Sequence, residues 1–167
     1  LEVFREMLEV TPLPPTRPDL PPVEVYGFTS TPTMNRANRG HIVLFINGRA
    51  VVDQSLTYAV VQAYHTLIPQ GRYPLAVLLI RLPPEDVDVN VHPTKAEVRF
   101  RNPDAIFSAV QRAVRRTVID QPAHLVRDPV GVTADGARRI QQCLEVVAGA
   151  VEGLEGLVEQ AAEPVLG

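Results

Sequence analysis

The sequence predicts a two-layer α/β sandwich, with two helices packed on one face of a mixed sheet. Three observations predict it. Alternating or continuously apolar segments recur from Val23 to Phe100, two amphipathic helical stripes are interleaved with them, and Gly, Pro and Asn signals separate the pieces. Two apolar helical stripes need a surface to bury against, and a single sheet face supplies one, which favours the sandwich over a barrel or a bundle.

Taken in order, Leu1 to Val10 has Leu1, Phe4 and Leu8 at spacings that suit a short helix. Thr11 to Pro22 then contains six prolines, which remove backbone donors and restrict their neighbours, so this stretch is an extended connector. Val23 to Phe28 is a first strand and His41 to Ile46 a second, with the polar Thr31 to Gly40 as a loop exposing Arg36 and Arg39. Asn47-Gly48 tolerates positive φ at both positions, which makes a hairpin turn leading into Arg49 to Val52.

Asp53 suits a helix N-cap, and Leu56, Ala59, Val60, Ala63 and Leu67 follow at helical spacing until Pro69 and Gly71. Pro74 to Ile80 is a short apolar strand buried on both sides. Asp86 to Val91 alternates with period two, placing Val87, Val89 and Val91 on one face, and Glu97 to Phe100 is a further short strand. Asn102-Pro103 caps a second helix, whose stripe is Ile106, Phe107, Val110 and Val114 and whose other faces carry Arg112, Arg115 and Arg116.

Beyond Ile119 the pattern weakens, and Gly149, Gly153 and Gly156 leave only a marginal helix between Ala137 and Leu157. The expected division is therefore a fragment and connector over 1–22, a folded domain over 23–118, and an acidic interdomain linker over 119–167.

Composition narrows the function classes. At 167 residues, 21% charged and 46% hydrophobic, the chain suits one globular core rather than a disordered polymer. The longest strongly apolar run, Leu75 to Ile80, is far short of a bilayer span, so no membrane partner is expected. Cys143 is the single cysteine, which fits a cytoplasmic location and excludes both an internal disulfide and a multi-cysteine zinc site. His41, His65 and His124 lack ligand spacing, so no metal is expected.

Charge is uneven despite the net value of -3. Lys95 to Val118 holds six basic residues against two acidic ones, whereas Gln141 to Gly167 has five glutamates and no Lys or Arg. No base-reading motif accompanies the basic residues, so any nucleic-acid contact would be to the backbone and salt-dependent.

The most specific segment is Asp86-Val-Asp-Val-Asn-Val-His-Pro-Thr-Lys-Ala-Glu-Val-Arg-Phe100. With Gly27-Phe28, Leu44-Phe-Ile-Asn-Gly-Arg49, Ala63-Tyr64 and Gly71-Arg-Tyr-Pro74, in that order, it resembles the MutL family of DNA mismatch repair proteins. The resemblance covers about Val23 to Val118. It implies the ribosomal protein S5 domain 2-like fold, placed as the second, transducer domain of an N-terminal region after a GHKL-type ATPase domain.

On that resemblance the chain couples ATP binding and hydrolysis upstream to DNA binding and partner signalling. The isolated chain, a fragment that begins after the nucleotide-binding glycines, is expected not to be an enzyme and to need no cofactor. The intact parent would be an ATPase using ATP with Mg2+, a dimer, and a partner of a mismatch-recognition protein. Lys95 matches the lysine that approaches the γ-phosphate, as catalytic and cofactor-binding residue, although by itself it reads as a solvated turn lysine. Asn90, His92 and Pro93 would shape the loop that delivers it.

Arg49 matches a DNA-contacting position, where a guanidinium suits phosphate oxygens, and a plain solvated hairpin arginine is the other reading. Arg36, Arg39, Arg112, Arg115 and Arg116 are candidates to extend that surface. The alternative to ATP coupling is an S5-like nucleic-acid-binding or structural interaction module that works without it.

Overall fold

The computed structural model of this chain describes residues 7–15, 17–92 and 95–120. The chain divides into two units, residues 1–129 and 130–167, and every described residue belongs to the first. The expected linker and marginal helix lie, from residue 121 onward, outside the described residues.

Along the chain the elements are β1 (Met7–Val10), β2 (Glu24–Ser30), β3 (Asn35–Arg36), β4 (Ile42–Ile46), β5 (Arg49–Val51) and helix α1 (Gln54–Ala63). Then come β6 (Tyr73–Pro74), β7 (Ala76–Arg81), a single 3-10 turn at Pro84–Asp86, β8 (Val87–His92), β9 (Lys95–Phe100) and helix α2 (Pro103–Asp120). The main sheet has the order β1-β2-β7-β4-β5, while β3 with β6 and β8 with β9 form separate two-stranded ribbons. Among the described residues only β4 and β7 pair in parallel and the other pairs are antiparallel, so the sheet is mixed as expected.

A parallel pair needs a crossover, and the chain from Ile46 to Ala76 supplies it through β5 and α1. Strand alternation then sorts the side chains. Leu44 and Ile46 of β4 and Ala76, Leu78 and Ile80 of β7 share one core with Leu56, Val60, Ile106 and Val110 of the helices. Phe45 and Leu79 are buried outside that core, on the other face of the sheet. Both helices therefore cover one face, and each fully buried leucine there contributes about 2 kcal/mol.

Asp53 starts α1 as expected, its carboxylate accepting the Leu56 N–H at 2.8 Å. Asp53→Ala should cost about 1 kcal/mol in urea unfolding. An unchanged midpoint would mean that packing alone holds the first turn. The helix ends at Ala63, earlier than its apolar spacing suggests, because Thr66 adopts φ 73 and the chain folds into a turn at Tyr64–Ile68. Leu67 still packs on the core, but from that turn.

Three further expectations are corrected. Residues 7–10 of the expected N-terminal helix form an edge strand, since Leu8 and Val10 are buried with strand alternation while β2 supplies hydrogen-bond partners; residues 1–6 lie outside the described set. The loop between β2 and β4 contains β3, which gains regular structure only by pairing with β6 far along the chain. The alternating β8 and β9 make a hairpin of their own and are not strands of the main sheet; Val87, Val98 and Phe100 pack against the core beside it.

Candidate nucleic-acid interface

Asn47 and Gly48 take φ of 49° and 85°, the left-handed values that a two-residue hairpin requires. The turn is also tied to the end of β7. The Asn47 N–H donates to Ile80 O at 3.0 Å, its side-chain amide donates to Leu82 O at 3.0 Å, and its amide oxygen accepts from Leu82 N at 3.1 Å. Arg49 thus leaves a rigid turn with an exposed side chain, and among the described residues it has no ion-pair or hydrogen-bonding side-chain partner.

Strand β9 lies beside β5, so the backbone brings Lys95 and Arg49 onto neighbouring strands. Lys95 is the first residue of β9 and pairs with His92, while Asn90 pairs with Glu97. The expected delivery loop is correspondingly short: Asn90 and His92 belong to β8, and Pro93 lies outside the described residues.

The remaining arginines fall into two separate groups. On α2, Arg115 donates to Ala63 O at 3.0 Å and His65 O at 2.8 Å, covering carbonyls left open at the end of α1. Arg116 pairs with Asp120 at 3.0 Å, and Arg112 donates to Pro14 O at 3.2 Å. These three residues therefore have roles in the helix layer.

Arg36 and Arg39 lie on or near the β3–β6 ribbon, at the opposite end of β4 from Arg49. Five residues of strand separate the two places by about 17 Å. The ribbon adds a residue to which no role had been assigned from sequence, Arg72. Its Nε donates to Asn35 Oδ1 at 2.7 Å, and the Arg39 guanidinium lies 5.0 Å from the centre of the Tyr73 ring. A signal was present in the charges, because between Val25 and Pro84 the only acidic residue is Asp53, against Arg36, Arg39, Arg49, Arg72 and Arg81. Among the described residues, no set of three His, Cys, Asp or Glu side chains is placed to hold a metal, and no helix is long and apolar enough to cross a membrane.

A protein-family model described as DNA mismatch repair protein, C-terminal domain, matches residues 2–118. The chain belongs to the MutL family of DNA mismatch repair proteins. It is 43% identical over 129 residues to the MutL of Symbiobacterium thermophilum, covering 77% of this chain and 20% of that protein. It is 48% identical over 96 residues to the MutL of Agrobacterium fabrum, covering 58% of this chain and 16% of that protein. The chain spans about a fifth of the length of these curated relatives. A crystal structure described as the N-terminal domain of a DNA repair protein shares the fold, with a TM-score of 0.56 and 22% identity, covering 71% of this chain and 37% of that one.

The match corrects the expected placement within MutL. The family model is described as a C-terminal domain, which overturns the assignment as the ATP-coupling second domain of an N-terminal ATPase region linked to a GHKL domain. The physical reason is that the quoted motifs lie within elements of this one domain, from β2 and β4 through the end of α1 and β6 to β8 and β9. They report its own packing and carry no information about a neighbour.

Proposed function

We propose that this MutL domain binds the phosphate backbone of DNA without reading its sequence, and that it does so as an interaction module independent of nucleotide coupling. The observation that carries the reading is Arg49, an exposed guanidinium held by the tied Asn47-Gly48 turn with no carboxylate partner among the described residues. The tied turn fixes where the backbone presents this arginine, and its fork matches phosphate oxygens. Lys95 lies on β9, the strand beside β5, and is the second position at which this reading is tested. Arg112, Arg115 and Arg116 take a smaller share because the helix layer already engages them.

The mixed sheet with its parallel β4–β7 pair and both helices on one face supports an S5 domain 2-like fold for the module. Mismatch-recognition partners, dimerisation, a cytoplasmic location and use of ATP with Mg2+ belong, on this reading, to the whole repair protein.

The test is fluorescence anisotropy of a labelled duplex with the full chain across a salt series. Binding should weaken steeply with salt, and Arg49→Gln should flatten the log–log slope by about 1. Two duplexes of unrelated sequence should bind alike. Absence of binding at low salt would overturn the reading in favour of a structural interaction domain, for which the exposed Tyr58 beside Phe107, with ring centres 6.3 Å apart, is a docking candidate.

A further inference from the structure

We propose that the β3–β6 ribbon is a second phosphate-binding site for the nucleic-acid backbone, formed by Arg36, Arg39 and Arg72. The proposal rests on the reading that the domain binds DNA, and adds to it a separate contact point at the other end of β4.

The arrangement of charge points to an anion. Arg36 donates to the Asn35 carbonyl at 3.3 Å and Arg72 donates to the same oxygen at 3.4 Å, so two guanidinium groups converge on one neutral acceptor. Bringing like charges together is unfavourable unless something negative offsets it. No carboxylate does so among the described residues, where the ion pairs are Arg17 with Asp19, Arg81 with Glu24, Arg101 with Asp86 and Arg116 with Asp120. All three arginines of the ribbon are exposed.

The ribbon is also held before any ligand arrives. The buried Ser30 hydroxyl donates to Met34 O at 2.8 Å and accepts from Leu75 N at 3.1 Å, tying the base of both short strands to β2. The Asn35 side chain donates to Pro32 O at 3.0 Å while its own oxygen orients Arg72. Tyr73 pairs directly with Arg36 across the ribbon, and its ring supports the Arg39 guanidinium. Such prior ordering lowers the entropy lost on binding.

A phosphodiester suits these groups better than an acidic peptide does. Arginine forks match phosphate oxygens, and a phosphate chain presents successive charges to a cluster without needing an apolar pocket. The clefts along Leu13–Pro15 and α2, by contrast, are lined by none of the three ribbon arginines.

Labelled-duplex anisotropy with the full chain tests the site. Arg39→Gln and Arg72→Gln should each weaken binding about fivefold at low salt and lower the slope by about 1, additively with Arg49→Gln. Arg17→Gln, on the connector, should change neither quantity. If Arg72→Gln disturbs the ribbon, as circular dichroism and melting would show, Arg39→Gln decides the matter, since its side chain lies over the Tyr73 ring and makes no hydrogen bond or ion pair among the described residues. Unchanged affinity and slope for Arg39→Gln, with loss for Arg49→Gln, would overturn the ribbon site and leave the broader reading standing. No salt-dependent binding by the parent chain would overturn both. Tighter binding of poly-glutamate than of DNA through these arginines would overturn the choice of nucleic acid and point to an acidic protein.

Discussion

Gly27→Ala is expected to destabilise the domain by about 4 kcal/mol, enough to leave much of it unfolded at moderate temperature. Gly27 lies in the middle of β2, opposite Leu78 of β7 on one side and Val10 of β1 on the other. A Cβ there would stand 2.1 Å from the Val77 carbonyl oxygen and 3.2 Å from the Leu78 Cα, both backbone atoms. Nothing flexible can yield. The backbone φ of 134° is itself a conformation that side chains other than hydrogen rarely permit, which adds strain to the clash. Urea or thermal unfolding measures the change. A loss below about 1 kcal/mol would show that β2 and β7 separate freely, and would remove the close approach as an organising feature of the sheet.

Tyr64→Phe is expected to cost about 2 kcal/mol at neutral pH and to abolish a specific alkaline sensitivity. Tyr64 is buried just after α1, where its hydroxyl hydrogen-bonds to Thr29 Oγ1 at 2.6 Å and donates to the Ser30 carbonyl. Burial pushes its pKa up from 10.0 to about 12, outweighing the hydrogen bonds with Thr29 and Ser30 that pull it down. The folded phenol therefore keeps its proton through a range where the unfolded one releases it. Stability from this group is fully present below pH 10 and is lost as the pH rises towards 12, by roughly 2–3 kcal/mol in all. Denaturation midpoints measured across that window should fall for the parent chain and stay flatter for Tyr64→Phe. Parallel curves would show that the hydroxyl is solvated.

The same tyrosine links the fold to the ribbon. Tyr64 reaches Thr29 and Ser30 from the helix layer, and Ser30 in turn binds Met34 and Leu75 at the base of β3 and β6. Tyr64→Phe thus offers a further check on the ribbon, through a residue that is remote from any ligand.

The elements legible in the sequence were those whose signals are local. Asp53 and Asn102 announced both helix starts, and the Leu56 N–H bond to Asp53 and the Ala105 N–H bond to Asn102 at 3.3 Å bear this out. Asn47-Gly48 announced its turn because only a few residue types accept those dihedrals. What escaped was non-local. Strand β1 is short and has helix-compatible apolar spacing, and it becomes a strand because β2 offers an unpaired edge. Strands β3 and β6 have two residues each, too few for any periodicity, and exist through their mutual pairing. Arg72 was visible inside Gly71-Arg-Tyr-Pro74, yet nothing nearby in sequence shows that it meets Asn35.

By itself, then, the sequence determined the two helices, the main hairpin and the sandwich class, because caps, turns and apolar periodicity act over a few residues, while the MutL family entered through the resemblance of its dispersed motifs. Only the tertiary structure decided which arginines share a surface. It sent Arg115 to the end of α1, left Arg49 exposed on its turn, and gathered Arg36, Arg39 and Arg72 on one ribbon. The physical reason is that a guanidinium's role depends on which carbonyls, carboxylates and rings the folded chain brings within about 3–5 Å of it. Those neighbours come from segments far apart in sequence.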